Sequence, residues 1–215
     1  MDRSRLGIVI PALNESATIS GVVEAAARYG VPIVVDDGST DDTARLAKQA
    51  GAVVVSHERN RGYDAALDSG FRKAAELGSD CIITLDADGQ HDPSLIQQFI
   101  AEIDAGAEIV VGIRSSRQRL AEHLFAGYAR LRFGIEDPLC GMKAYRRAVY
   151  QALGHFDSYG SIGTELTMFA ARRGYRLAQV PFDVRERLGQ SRFGPVVMGN
   201  YKIIRALVLS LWRVK

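Results

Sequence analysis

The sequence predicts an α/β protein: a Rossmann-like, mainly parallel sheet with helices on both faces. Three observations carry this. Short apolar runs recur through the first half, and they are unbroken rather than alternating. Stretches with helical spacing separate them. Strands apolar on both sides are those buried on both faces, which is the situation of a parallel sheet whose crossovers are helices.

Each element has a local reason. Leu6–Ile10 is an apolar strand, and the apolar residues of Ser16–Tyr29 recur at helical spacing. Val31–Val35 is apolar and mostly β-branched, the composition of a second strand. Asp41–Gly51 reads as a helix ending at glycine, the residue that best closes a helix. Ala52–Ser56 is the third strand, and Tyr63–Leu77 a helix closed by Gly78. Cys81–Leu85 is the fourth strand, Pro93–Ala105 a helix beginning at proline, and Glu108–Val111 the fifth strand. The second half is less regular. Gln118–Phe133 reads as a basic amphipathic helix, Lys143–Tyr145 as a short strand, Gly163–Arg173 as a helix and Arg176–Val180 as a strand. Val184–Phe193 is an Arg-rich polar loop, and Gly199–Val214 a closing helix. No repeat or linker interrupts the chain, so a single domain is expected over residues 1–215.

A chain of 215 residues, 47% hydrophobic and 24% charged, excludes collagen-like, coiled-coil and disordered classes. Its two cysteines exclude a disulfide scaffold, and Cys81 in an apolar run reads as a buried thiol, so a reducing, cytoplasmic setting is expected. No run reaches the roughly 18 apolar residues of a membrane span, and the polar start predicts no secretory signal. The net charge of +2 hides an asymmetry: residues 1–110 carry net −9 and residues 111–215 net +11. An acidic half can hold a cation and a basic half can attract an anion. Nucleic acid is not the expected anion, because the basic residues form no run and no binding motif.

In an open α/β sheet, ligands bind at the carboxyl ends of the parallel strands. Here the first such end leads into Pro11, Asn14 and Glu15, the second into Asp36 and Asp37, and the fourth into Asp86, Asp88 and Gln90. All are expected along one crevice. Asp, Asn and Ser also serve as ordinary turn and cap residues, which explains each cluster singly but less well the acids at all three ends. Asp86-Ala87-Asp88 is a weak signal alone; its position directly after Ile82-Ile83-Thr84-Leu85 gives it weight. Oxygen ligands without histidine or thiolate suit Mg²⁺ or Mn²⁺, bound through one or two carboxylates plus substrate phosphates. There is no G-x-G-x-x-G after a strand, no P-loop, no G-x-S-x-G elbow and no zinc pattern among the four histidines.

The order of these motifs resembles family 2 glycosyltransferases with the GT-A fold, and in particular the dolichyl-phosphate mannose synthase and bacterial polyprenyl-phosphate glycosyltransferase branch. The matching segments run from Val9-Ile10-Pro11-Ala12-Leu13-Asn14-Glu15 through Val34-Val35-Asp36-Asp37-Gly38-Ser39, Asn60-Arg61-Gly62, Leu85-Asp86-Ala87-Asp88-Gly89-Gln90 and Val111-Gly112-Ile113-Arg114. They continue through Asp137-Pro138-Leu139-Cys140-Gly141-Met142-Lys143, Gly163-Thr164-Glu165 and Gly189-Gln190-Ser191-Arg192-Phe193. The resemblance implies a nucleotide-sugar-binding half, 1–113, and an acceptor-binding half, 114–215. It implies that Pro11, Leu13, Asn14, Glu15, Asp36, Asp37, Arg61 and Ala87 surround the nucleotide sugar. Asp86, Asp88 and Gln90 would hold Mg²⁺ or Mn²⁺ on the donor diphosphate. Arg114 and Arg192 would face phosphate oxygens, a task that suits a permanent, forked cation.

The implied reaction is inverting transfer from a UDP- or GDP-sugar to polyprenyl phosphate, at the cytoplasmic face of a membrane. The alternatives are transfer to a saccharide hydroxyl in surface-polysaccharide assembly and a nucleotide-sugar-binding subunit without turnover. A phosphate acceptor is already anionic; a hydroxyl needs a general base, for which Asp137 and Glu165 are the candidates. The segment Ile203–Trp212, flanked by Lys202, Arg213 and Lys215, is expected either to lie on an anionic membrane or to pack on its own domain. The chain departs from the family pattern in a short stretch from Ser115 to Glu136 and in a late loop with Glu at 186 and Arg192 in place of lysine. Oligomeric state is not legible.

Overall fold

The computed structural model describes residues 2–89, 92–115, 119–183 and 196–213. Its strands are β1 (Leu6–Ala12), β2 (Val31–Asp36), β3 (Val53–Ser56), β4 (Cys81–Thr84), β5 (Ile109–Arg114), β6 (Lys143–Arg146) and β7 (Leu177–Phe182). Its helices are α1 (Ile19–Ala26), α2 (Thr43–Gln49), α3 (Tyr63–Glu76), α4 (Leu95–Asp104), α5 (Leu120–Phe133), α6 (Arg147–Leu153), α7 (Glu165–Arg172) and α8 (Val196–Arg213).

The strands form one sheet in the order β3-β2-β1-β4-β6-β5-β7. The pairs β1–β2, β1–β4, β2–β3 and β5–β7 are parallel, while β6 runs antiparallel between β4 and β5. The sheet is therefore mainly parallel, as expected, with one reversed strand. Both faces are buried, and the alternation of side chains divides them. Ile8, Ile10 and Ile83 enter the core under α1 and α4; Val9 and Ile82 enter the core under α3, α5 and α7. Gly70 lets α3 approach β1: a Cβ there would lie 2.2 Å from Val9 Cγ1.

Two local differences from the sequence reading have clear causes. The helix expected from Ser16 begins only at Ile19, because Asn14 takes a left-handed φ of 52° and residues 15–18 form a turn bonded to the neighbouring loop. Helix α6 was not expected at all. It starts directly after β6 with no cap side chain bonded, and only Gly154, left-handed at its end, punctuates it.

Candidate active site

The loops after β1, β2 and β4, where the sequence places the site, are tied together by hydrogen bonds. Ala12 and Asp36 are register partners at the ends of β1 and β2, with Pro11 one step before. Asn14 N–H donates to Ser39 Oγ (2.9 Å), and Thr40 N–H donates back to Asn14 Oδ1 (2.9 Å). Glu15 N–H donates to Thr43 Oγ1 (2.8 Å), and Ser16 N–H to Asp41 (3.1 Å). Burial alone would raise the Asp41 carboxyl, but hydrogen bonds from Thr43 and Ser16 outweigh it and bring it down to about 2. Thr18 Oγ1 donates to the Ala87 carbonyl (2.7 Å) and reaches Glu15 Oε2 (3.2 Å), joining the first loop to the fourth strand's end. Glu15, Asp36 and Asp88, at or just beyond the ends of these strands, are buried acids. Leu13 is half-buried on the loop after β1, and Arg61 is exposed on the loop before α3.

Asp86 sits where β4 ends. Tyr63 O–H lies 3.4 Å from its Oδ1, and the backbone of Gly141 packs on its other oxygen: a Cβ at Gly141 would fall 2.3 Å from Oδ2. Glycine is required there by space, not by φ. Burial first, and Asp86 second, push the Tyr63 hydroxyl pKa well up, so it stays protonated and can donate. The donor set here is two aspartates of an Asp-x-Asp, all hard oxygen. It fits Mg²⁺ or Mn²⁺ completed by substrate phosphate, and no third His, Cys, Asp or Glu joins them among the described residues. Gln90 and Arg192 lie outside the described residues.

Four expected side chains have other work. Asp37 accepts from His57 Nδ1 (2.6 Å), from Arg61 N–H (2.9 Å) and from Gly62 N–H (2.8 Å), so it clamps the loop before α3 rather than offering its carboxylate to a ribose. Arg114 and Asp137 are paired with each other: Nε to Oδ2 at 2.7 Å and Nη2 to Oδ1 at 2.9 Å, with Glu122 3.3 Å from Nη2. Burial opposes the Arg114 charge, but Asp137 more than compensates and its pKa rises. Glu165, the first residue of α7, accepts from Ser158 Oγ (2.9 Å), from Ser158 N–H and lies 3.1 Å from His155 Nε2. The two carboxylates proposed as bases are thus already occupied by internal donors, and Arg114 is a strut before it is a phosphate ligand. The sequence could not reveal this, because the partners are 20 or more residues away in every pairing except those of Glu165 and Glu122.

Sequence reasoning missed a second cluster beside Tyr63. Asp64 accepts from Ile162 N–H (3.1 Å) and Gly163 N–H (2.6 Å), while Lys143 Nζ donates to the Gly163 carbonyl (2.6 Å). Burial pushes the Lys143 ammonium down to about 8. Burial, then the Asp157 charge, pushes Asp64 up to about 6 against the bonds from Gly163 and Ile162 and the charge of Lys143. A carboxyl raised by folding contributes stability that is full below its unfolded value and lost as pH rises through the folded one. Wild type is therefore expected to lose stability relative to Asp64→Asn between about pH 4 and about pH 6, by up to about 3 kcal/mol at ~1.4 kcal/mol per unit. Thermal melts of both proteins across that range check it; parallel curves would mean that Asp64 is not desolvated.

The loops after β1, β2 and β4 thus meet at one edge of the sheet, with Asp86 and Asp88 on the last of them. The model of Glycosyl transferase family 2 matches residues 7–154. The chain belongs to glycosyl transferase family 2. Among its relatives, the polyprenol monophosphomannose synthase of Mycolicibacterium smegmatis is 32% identical over 210 residues, covering 86% of this chain and 79% of that protein. The dolichyl-phosphate hexose transferase of Haloferax volcanii is 30% identical over 209 residues, covering 90% and 89%. The crystal structure of glucosyl-3-phosphoglycerate synthase from Mycobacterium tuberculosis, in complex with Mn²⁺ and UDP-glucose, superposes with a TM-score of 0.77 at 26% identity over 97% of this chain and 79% of that one. This family 2 chain is therefore a glycosyltransferase with the GT-A fold, and the resemblance read from its motifs holds for family and fold.

Proposed function

We infer that the protein transfers a sugar, with inversion, from a nucleotide diphosphate donor to a polyprenyl phosphate held at an anionic membrane. The observation that carries this is where the molecule leaves apolar surface exposed. Ten large hydrophobic side chains are exposed among the described residues, and nine of them lie on α5 and α8. Leu120, Leu124 and Leu131 stand on α5; Met198, Tyr201, Ile204, Val208, Leu211 and Trp212 on α8. Leu131 is 92% exposed and Trp212 80%. The two helices touch, with Ala121 N–H on Asn200 Oδ1 at 3.4 Å. Arg130, Arg132, Lys202 and Arg205 are exposed on them; Arg130 pairs with Glu136 (3.1 Å), which follows α5, and the two helices themselves carry no exposed acid. A basic apolar face of this kind suits the surface of an anionic bilayer. No helix among the described residues is long and apolar enough to cross a membrane.

Both helices also reach the site. Glu122 of α5 holds Arg114, and Arg205 of α8 donates to the Tyr159 carbonyl (3.0 Å). The occupied state of Asp137 and Glu165 supports the same reading, since a phosphate acceptor brings its own negative oxygen and needs no base. The names of the two relatives agree with it.

In this reading Glu15 and Asp36 accept hydrogen bonds from the nucleoside, and the loops around Asn14 and Ser39 hold their positions. Asp86 and Asp88 would hold Mg²⁺ or Mn²⁺, which supplies electrostatic stabilisation of the leaving diphosphate. The acceptor oxygen attacks the anomeric carbon from the face opposite that diphosphate, and the bond to the leaving oxygen breaks as the new one forms. Tyr63 and Gly141 fix the Asp86 carboxylate before the substrate arrives.

The test is a donor screen with UDP- and GDP-sugars, Mn²⁺ or Mg²⁺, and vesicles of anionic lipid with or without polyprenyl phosphate. Nucleoside diphosphate release stimulated by the lipid phosphate is expected. Replacing Leu211 and Trp212 by Glu is expected to abolish co-sedimentation with the vesicles and to slow lipid glycosylation about tenfold, with donor hydrolysis unchanged. Release stimulated by saccharides and not by lipid phosphate would move the assignment to a hydroxyl acceptor.

A further inference from the structure

We propose that Asp64 is a positioning residue for the acceptor: it clamps the left-handed turn 160–163 against Tyr63 and so fixes the wall of the crevice beside Asp86. This rests on the reading of Asp86 as a metal-holding carboxylate.

The backbone motivates it. Ile162 has a φ of 57°, a conformation that L-residues, and β-branched ones above all, rarely adopt. Gly160 and Gly163 on either side are also left-handed, at 72° and 68°. Such strain persists only where surrounding structure over-determines it, and it concentrates at functional sites. Here the surroundings are identifiable. Asp64 takes the two amides of Ile162 and Gly163, and Lys143 takes the Gly163 carbonyl. Asp157 takes the amides of Gly160 (2.7 Å) and Ser161 (2.8 Å). Ser161 Oγ accepts from Thr164 N–H (3.1 Å) and Glu165 N–H (2.9 Å), which starts α7.

The turn adjoins the reaction centre. A Cβ at Gly163 would lie 3.4 Å from Tyr63 Cε1, and the Tyr63 hydroxyl is 3.4 Å from Asp86 Oδ1. One aromatic ring therefore separates the strained turn from the acidic pair. Tyr63 and Asp64 are consecutive at the start of α3, so one turn of helix holds the carboxylate with one residue and the wall with the next. The turn comes from the second half of the chain and is also tied by Arg205 to the apolar helix α8. The raised pKa of Asp64 agrees: this carboxylate is kept at some cost to stability.

The experiment compares wild type with Asp64→Asn and Ile162→Gly, the second relieving the strained φ without touching the clamp. Binding of UDP and GDP with Mn²⁺, read by calorimetry, is expected to stay within about twofold in both variants. The partition of donor between transfer and hydrolysis is expected to shift toward water by about tenfold in both. The Ile162 and Gly163 amides are expected to exchange hydrogen faster in Asp64→Asn, a readout that needs no acceptor. An unchanged partition in folded variants, unchanged exchange, or a loss of nucleotide binding equal to the loss of transfer would each overturn the clamp. If Asp64→Asn does not fold, Ile162→Gly and Ile162→Asn decide the matter by the same partition. Wild type that binds neither nucleotide would instead overturn the reading of the crevice, before any variant is made.

Discussion

Asp88→Ala is expected to abolish metal-dependent turnover while leaving the chain folded. The carboxylate is buried on the loop that follows the central β4. Stabilisation of a leaving diphosphate by a bound ion is worth several kcal/mol, and at about 1.4 kcal/mol per tenfold the loss is about 10³-fold or more. Single-turnover assays at saturating donor, alongside thermal melts, separate the two effects. Gly141→Ala tests the same centre from the other side. It keeps both aspartates but puts a Cβ 2.3 Å from Asp86 Oδ2, so that the carboxylate or the loop must move. Its turnover is expected to fall with its stability, unlike that of Asp88→Ala. A substantial loss of stability in Asp88→Ala with turnover intact would make the aspartate a structural acid and end its role in the reaction.

Arg114→Ala is expected to destabilise the protein by about 3 kcal/mol, near the low end for breaking a buried pair because its side chain keeps 22% of its exposure. The penalty comes less from the lost attraction than from what is left behind. Asp137, 2% exposed in its side chain, would keep a charge with its bidentate partner gone, and Glu122 would lose one of its two arginines. Replacing the pair together, as Arg114→Met with Asp137→Leu, is expected to recover much of the loss, because no orphaned charge remains. Urea unfolding of the single and double variants measures this. Unchanged stability in Arg114→Ala with transfer abolished would return Arg114 to the phosphate-binding role that its sequence position suggests.

The elements were legible because their causes are local. Unbroken apolar runs, glycine stops and helical spacing lie within a dozen residues of each other, and all five strands expected in the first half are present. The meeting of the three loops was legible for a related reason. In a parallel sheet the strand ends share one edge, so polar residues following β1, β2 and β4 converge whatever the detailed packing. The loops that carry Asn14 and Asp36 are accordingly bonded to each other, and Thr18 on the Ala87 carbonyl ties the first of them to the loop after β4.

What the sequence by itself determined is the fold class, the family and the edge of the sheet that carries the site. The tertiary structure decided which acidic and basic side chains face that edge and which hold the molecule together. Asp37, Arg114, Asp137 and Glu165 read as site residues in one dimension, yet each is met by a donor or acceptor from another segment of the chain. Asp64 and Tyr63 carry no role in one dimension and Lys143 only ends a family segment, yet they meet at the strained turn beside Asp86. A carboxylate's role depends on what occupies its lone pairs, and those partners are chosen by packing across 7 to 99 residues of chain, which no local pattern records.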